Sequence, residues 1–135
     1  MRLLGIDYGE KRIGIALSDP LKMFVKPFCT LSNTGENDLI NEINKIIKSQ
    51  VVERIILGLP LNLQGEDTIK TKEIRVFYDF LVQNISIPVE LWDERYSTAD
   101  ANEYLKQKGY NWKESRKVVD QVAAAVILRS YIDSK

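Results

Sequence analysis

The chain has 135 residues, with 19 basic and 19 acidic side chains and a formal net charge of zero. Apolar residues make up 44% of the chain and charged residues 28%, which excludes a disordered or collagen-like chain. There is no histidine and one cysteine, Cys29, so imidazole metal sites, Ser–His and Cys–His nucleophiles and a disulfide framework are excluded. Any catalysis must therefore use carboxylates, Lys, Tyr, Ser or a metal ion held by oxygen ligands.

The length predicts one domain over residues 1–135, because typical domains contain about 100–150 residues. The first residues carry only a short apolar stretch that ends at the charge of Asp7, unlike a signal peptide. No apolar run approaches the roughly 18 residues that span a bilayer. We therefore expect a cytoplasmic protein without a membrane partner. Zero net charge leaves a nucleic-acid partner open, because a local basic patch can bind one.

Three strands are predicted at the start of the chain. Apolar patterning favours strands over residues 2–8 and 11–18, joined as a hairpin by the turn at Gly9. A third strand is expected over residues 24–31, where Pro27 favours a position at the edge of the sheet.

The rest of the chain alternates between helical and strand patterns. A short apolar run closed by Pro60 is typical of a strand buried on both faces. The predicted elements are a helix over 36–50, a strand over 54–60, a helix over 67–84, a strand over 88–92, and helices over 98–108 and 115–132. This order predicts an α/β fold, with a mixed sheet that carries helices on both faces.

Acidic residues occupy three places where a purely structural role is unexpected. Asp7 ends a buried apolar strand, where an unpaired charge is costly. Asp93 and Glu94 directly follow the last apolar strand, and Asp120 shares the apolar stripe of the last helix. Each also has an ordinary interpretation: Asp7 as the acceptor of a turn, Asp93 and Glu94 as solvated loop charges, and Asp120 as a first-turn helix residue.

Converging carboxylates without histidine suit one chemistry in particular. Ligands bind at the strand ends of open α/β sheets, and carboxylate oxygens are the ligands of Mg²⁺ and Mn²⁺. Two such ions about 3.5–4 Å apart activate water and stabilise a departing oxygen in phosphodiester cleavage. The three acidic positions therefore predict a metal-dependent hydrolytic site.

A basic stretch from Lys106 to Lys117 precedes Asp120. Its cations interleave with Tyr110 and Trp112. Basic groups bind phosphates and flat rings stack on unpaired bases, so the stretch predicts a nucleic-acid contact, although a solvated loop explains it equally well. Lys11 and Arg12 in the first turn can add phosphate contacts or serve only as turn charges.

Four ordered segments resemble the signature blocks of the YqgF (RuvX-like) family. They are GIDYGEKRIGIALSD (5–19), ILGLPLNLQG (56–65), LWDERYSTADA (91–101) and KVVDQVAAAVILRSYID (117–133). Members of that family are described as pre-16S rRNA nucleases or Holliday junction resolvases. The resemblance covers residues 2–133 without large gaps.

The resemblance implies an RNase H-like fold with a five-stranded mixed sheet whose second strand is antiparallel to the others. It also implies a nuclease that uses Mg²⁺ or Mn²⁺ and carries its catalytic, metal-binding acids at Asp7, Glu94 and Asp120. In such sheets the strand of Asp7 is central, and the strand before Glu94 lies two places away, nearly 10 Å at the backbone at about 4.8 Å per strand. A glutamate side chain can cross much of that gap, whereas Asp93 is too short.

The leading hypothesis is a nuclease that processes the 5′ flank of precursor 16S rRNA, either free or on ribosomal particles. The side chains expected to hold substrate phosphates are Lys11, Arg12, Arg95, Lys113, Arg116 and Lys117. A rival substrate is a DNA four-way junction, which favours a homodimer over a monomer because two strands are cut symmetrically.

Two hypotheses from other classes remain. The chain could be a ribosome assembly factor that binds RNA without cleaving it. It could also bind nucleotide phosphates, because Gly5–Asp19 resembles the β-turn-β of actin- and hexokinase-like ATPases. Those proteins need two such domains, however, and this chain has room for one.

Overall fold

The computed structural model describes residues 1–97, 99–109 and 116–135, and of residues 116 and 117 it describes the backbone. Within these residues, five strands and four α-helices form in the predicted order. They are β1 (Arg2–Tyr8), β2 (Arg12–Ser18), β3 (Val25–Ser32), α1 (Glu36–Gln50), β4 (Val52–Leu59), α2 (Ile69–Asn84), β5 (Val89–Asp93), α3 (Ala99–Gln107) and α4 (Arg116–Asp133). A short 3-10 turn over Glu94–Tyr96, which the sequence pattern did not predict, follows β5.

The strands form one sheet in the order β3-β2-β1-β4-β5. The β1–β2 and β2–β3 pairs are antiparallel, and the β1–β4 and β4–β5 pairs are parallel. β1 is therefore the central strand and β3, which contains Pro27, lies at an edge, as predicted. The carboxyl ends of β1, β4 and β5 meet at one edge of the sheet, which is where this class of fold binds ligands.

Helices cover both faces of the sheet, which confirms the predicted layers. On one face, α1 and α2 contribute Leu39, Ile43, Ile74 and Phe77 to a core cluster with the inner strands. On the other face, α3 and α4 form a second cluster around Leu105, Ala124, Ile127 and Leu128. Helix α4 approaches the sheet closely, because a Cβ on Gly5 would lie 2.9 Å from the carbonyl oxygen of Ala124.

Helix α2 begins at Ile69, two residues later than predicted. Thr68 is its N-cap and forms a capping box with Thr71, whose backbone N–H donates to the Thr68 hydroxyl at 3.2 Å. The Thr71 hydroxyl also donates to the carbonyl oxygen of Pro60, and Asp67 binds Arg75 instead of entering the helix. These contacts fix the start of α2 next to the carboxyl end of β4.

Of the helices within the described ranges, none combines the length and the apolar character that crossing a bilayer requires.

Candidate active site

Asp7 and Asp120 meet where α4 crosses the central strands. Asp7 is paired with Gly14 in the antiparallel β1–β2 ladder. A Cβ on Gly14 would overlap the backbone carbonyl oxygen of Asp120, so α4 rests directly on this glycine. Because side chains alternate between faces along a strand, Asp7 lies on the same face as Gly5, which packs against α4. The fold therefore brings Asp120 to the side of the sheet on which Asp7 projects.

Glu94 reaches toward Asp7 across the intervening strand. It follows β5, and β4 separates β5 from β1. Its carboxyl carbon would lie 3.2 Å from a Cβ on Gly58 of β4, so the Glu94 side chain uses space that any other residue at position 58 would fill. The missing side chain at Gly58 is thus the local reason that the carboxylate two strands away approaches the central strand.

The site raises the pKa values of two of its acids, Asp7 and Glu94. Burial raises the pKa of Asp7 to about 6, and the nearby charge of Asp120 adds to the increase. Burial also raises the pKa of Glu94 to about 7, with a further contribution from the charge of Asp7. Strongly raised carboxyl pKa values at the end of strands are typical of functional sites, where charge is held for a ligand or a reaction.

The ordinary interpretations of Asp7 and Glu94 receive no support from their contacts. Within the described ranges, neither carboxylate accepts a hydrogen bond or forms an ion pair. Asp93, in contrast, binds Arg95 through the guanidinium at 2.7 Å and through the backbone N–H at 2.9 Å. The structural carboxylate at the end of β5 is therefore Asp93, and Glu94 is left facing Asp7.

Asp120 has a partner within the chain. The guanidinium of Arg12, at the start of β2, donates to its carboxylate at 2.9 Å. The Arg12 side chain is 49% exposed and that of Asp120 is 23% exposed, so solvent screens this pair and its net contribution is small. Asp120 can exchange this cation for another at little cost.

The carboxylate oxygens of the site are ligands of the kind that a hard divalent cation binds, but they do not form a complete coordination site. Asp7 and Glu94 offer oxygen ligands without competing donors, which is what Mg²⁺ and Mn²⁺ require. Among the residues that the structure describes, no three acidic side chains form a ready metal-binding group. The Asp7 and Glu94 carboxylates have oxygens available to such an ion, whereas the Asp120 carboxylate is paired with Arg12.

Lys70 is a feature of the site that sequence reasoning missed. It lies in the first turn of α2, and its positive charge lowers the pKa of both Asp7 and Glu94, against the larger effect of burial. The contact between Thr71 and Pro60 places it there. The sequence did contain a signal for it. Thr68 is a good N-cap residue that comes soon after the strand closed by Pro60, so a helix starting there places Lys70 at the carboxyl edge of the sheet.

The predicted phosphate-binding cations are only partly described. Arg12 is engaged by Asp120, and Arg95 is engaged by Asp93 and packs against Gly65. Lys11 is exposed in the turn that follows β1, close in sequence to Asp7. Lys113 and the rings of Tyr110 and Trp112 lie outside the described residues, as do the side chains of Arg116 and Lys117. The phosphate role of all six cations stays a prediction.

A groove of about 300 Å³ opens beside Glu94. The turn after β5 contributes Ser97, α3 contributes Asn102, and α4 contributes Ala123 and Ile127. The groove gives solvent and ligands a path to the Glu94 carboxylate from the α3–α4 side of the sheet.

Comparison with known proteins identifies the family. The family described as "RuvX: Holliday junction resolvase" matches residues 1–134. This chain belongs to that family. A RuvX relative from Clostridium acetobutylicum, named "Putative pre-16S rRNA nuclease", is 37% identical over 134 residues, which cover 99% of each chain. A relative of the same name from Halothermothrix orenii is 39% identical over 134 residues, or 98% of this chain and 95% of the relative.

Solved structures place this RuvX chain in the RuvC-like, RNase H-like fold. RuvC of Thermus thermophilus, in complex with a Holliday junction, matches with a TM-score of 0.64 at 10% identity, covering 99% of this chain and 96% of that one. The yeast mitochondrial Holliday junction resolvase matches with a TM-score of 0.58 at 12% identity, covering 96% and 77%. At this identity the likeness concerns the fold, and it confirms the predicted fold class.

Proposed function

We propose that this chain is a divalent-metal-dependent nuclease that hydrolyses phosphodiester bonds. The observation that carries the proposal is the approach of Glu94 to Asp7 across Gly58, with both carboxylates unpartnered within the described ranges and both pKa values raised. Holding such charges together costs free energy, and a bound cation offsets this cost. The names of the RuvX relatives support the same activity.

The chain's own residues divide the work. Asp7, Glu94 and Asp120 would hold Mg²⁺ or Mn²⁺, which when bound polarises the phosphate and lowers the pKa of water. Lys70 lies near Asp7, and Lys11 follows Asp7 closely in the sequence. Cations at such positions favour the approach of a phosphate. Arg12 is paired with Asp120, so Asp120 would hold the ion only without this pairing.

The proposed substrate is the 5′ region of precursor 16S rRNA, free or on a ribosomal particle in the cytoplasm. The names of relatives that are 37–39% identical over nearly the whole chain support this choice. The description of the family itself favours a second candidate, branched DNA. A junction resolvase acts as a dimer, so the two candidates also differ in the expected mass of the active species.

A cleavage assay tests the proposal. Purified protein is incubated with labelled precursor rRNA and with a DNA four-way junction, with Mg²⁺, with Mn²⁺ or with EDTA. We expect metal-dependent cleavage of the RNA that Asp7→Asn abolishes and that Asp79→Asn, an exposed control on α2, preserves. Cleavage of the junction alone selects the second candidate. Retained cleavage by Asp7→Asn overturns the assignment, and tight RNA binding without cleavage indicates an assembly factor.

A further inference from the structure

A cavity of about 280 Å³ lies at the edge of the sheet opposite to the carboxylates. It lies between the start of β1, the segment that leads from β2 into β3, and the end of α3. Its lining includes Arg2, Asp19, Phe24, Lys26, Tyr104 and Lys108. Neither the acidic site nor the groove beside Glu94 uses any of these residues.

The cavity carries a surplus of positive charge. Among the residues that the structure describes in its lining, the carboxylate is that of Asp19, which accepts the backbone N–H groups of Met23 and Phe24, each at 2.7 Å. Within the described part of the chain, the ammonium group of Lys108 has no carboxylate partner. An unpaired ammonium group beside a satisfied carboxylate favours an anion such as phosphate.

The cavity also presents an aromatic face. Phe24 is 53% exposed, and the Lys108 ammonium lies 5.0 Å from the centre of its ring. Tyr104 is fixed in the wall, because its hydroxyl accepts the Val25 backbone N–H at 3.2 Å and the Arg129 guanidinium lies 4.6 Å from its ring centre. Phe24 is therefore the exposed ring of this cavity, with a cation beside it.

Distance separates the cavity from the acidic site, but both lie on the α4 side of the sheet. Arg2 begins β1 and Asp7 lies near its end, about 17 Å away at 3.3 Å per residue. Along α4, Arg129 contacts Tyr104 of the cavity and Asp120 belongs to the acidic site, about 14 Å apart at 1.5 Å per residue. A chain of nucleotides that enters one site can extend to the other.

We propose that this cavity binds one nucleotide of a single-stranded segment of nucleic acid, with the base stacked on Phe24 and a phosphate held by Lys108. That this segment flanks the cleaved bond rests on the proposed function. An acidic polypeptide would satisfy Lys108 but has no planar base to stack on Phe24, so the exposed ring favours nucleic acid.

The test measures binding without cleavage. In EDTA and in an Asp7→Asn background, fluorescence anisotropy follows a labelled oligo-uridine of about twelve nucleotides at several salt concentrations. Phe24→Leu should weaken binding about tenfold, because base–aromatic stacking is removed, whereas Phe24→Tyr should bind like the parent. Lys108→Gln should reduce the slope of log K against log salt by about 0.7 for the phosphate that the protein no longer neutralises.

The matched control is Lys48→Gln on α1, on the other side of the sheet. Equal binding by Phe24→Leu and Phe24→Tyr overturns the stacking site, and a Lys108→Gln variant that behaves like Lys48→Gln overturns the phosphate site. If unlabelled poly-glutamate competes as strongly as unlabelled oligo-uridine, the ligand of the cavity is an acidic polypeptide and the nucleotide proposal is overturned. Cleavage is measured separately, so a protein that binds as predicted but never cleaves contradicts only the proposed nuclease function.

Discussion

The Glu94 carboxyl group lies over Gly58, with its carbon 3.2 Å from the place where a Cβ would stand. Gly58 is paired with Trp92 of β5, and on its other side β4 adjoins β1, the strand of Asp7. The glycine thus leaves a gap in which Glu94, from two strands away, is buried near Asp7, and burial first and the charge of Asp7 second raise its pKa. The position of Glu94 in the site therefore depends on the lack of a side chain at Gly58.

The first prediction concerns this gap. In Gly58→Ala the new methyl group overlaps the Ile127 side chain and presses on Glu94. We expect the free energy of unfolding to fall by about 1–3 kcal/mol, the usual cost of overpacking, and cleavage to fall with it. Urea unfolding and the cleavage assay measure the two effects.

Adding Ile127→Val to Gly58→Ala separates the effect on stability from the effect on cleavage. Ile127→Val removes the Cδ1 atom that the alanine would meet, so the double variant should be more stable than the sum of the two single changes predicts. Its cleavage should stay low, because the contact with Glu94 remains. Full recovery of activity in the double variant would show that Gly58 acts only through packing.

The second prediction concerns pH and stability without metal. Glu94 has a pKa of about 7 in the folded chain and 4.5 as its ordinary value, so the folded chain binds more protons between these values and its stability falls as pH rises through them. Glu94→Gln removes the penalty. We expect the variant to gain about 1–2 kcal/mol over the parent at pH 8, allowing for partial solvation, and almost nothing at pH 4.

Urea unfolding in EDTA at pH 4, 6 and 8 measures this difference. The control is Glu103→Gln, which removes an acid on the exposed side of α3. A gain by Glu94→Gln that is the same at all three pH values would contradict the electrostatic origin of the effect.

The third prediction concerns Lys70. Its charge lowers the pKa of Asp7 and Glu94, so Lys70→Met should raise both pKa values and move the acidic limb of the pH–rate profile to higher pH. Lys72→Met, also in the first turns of α2 but beside Asp67, is the matched control. The proposed role of Lys70 fails if the two variants give the same profile.

The fourth prediction concerns the pair between Arg12 and Asp120. Arg12→Gln frees the Asp120 carboxylate, so a lower concentration of Mg²⁺ or Mn²⁺ should give half-maximal cleavage. Stability should change by less than about 1 kcal/mol, because the pair is solvated. Arg75→Gln breaks another solvent-exposed pair, the one with Asp67, and should leave the metal requirement unchanged. An unchanged metal requirement in Arg12→Gln would show that Arg12 does not compete for Asp120.

Local sequence patterns were enough to predict the element order and to single out the unusual acids. Period-two and helical apolar patterns are local properties of the chain, so strands such as β1 and helices such as α1 were predicted to within a residue or two. Asp7 was conspicuous because it ends an apolar strand. Some element boundaries are not set locally. The late start of α2 depends on the contact between Thr71 and Pro60, which no local sequence pattern reveals.

Which acids face one another follows from the folded arrangement alone. The length of the Glu94 side chain already suggested that it could approach Asp7. The sequence did not show that Gly58, distant along the chain, leaves the space for it. Nor did the sequence show which of the two neighbouring acids, Asp93 or Glu94, would pair with Arg95. The same holds for Lys70 beside the acids and for Phe24 beside Lys108. Such neighbours are set by strand order and helix packing, because burial and charge act through space and not along the sequence.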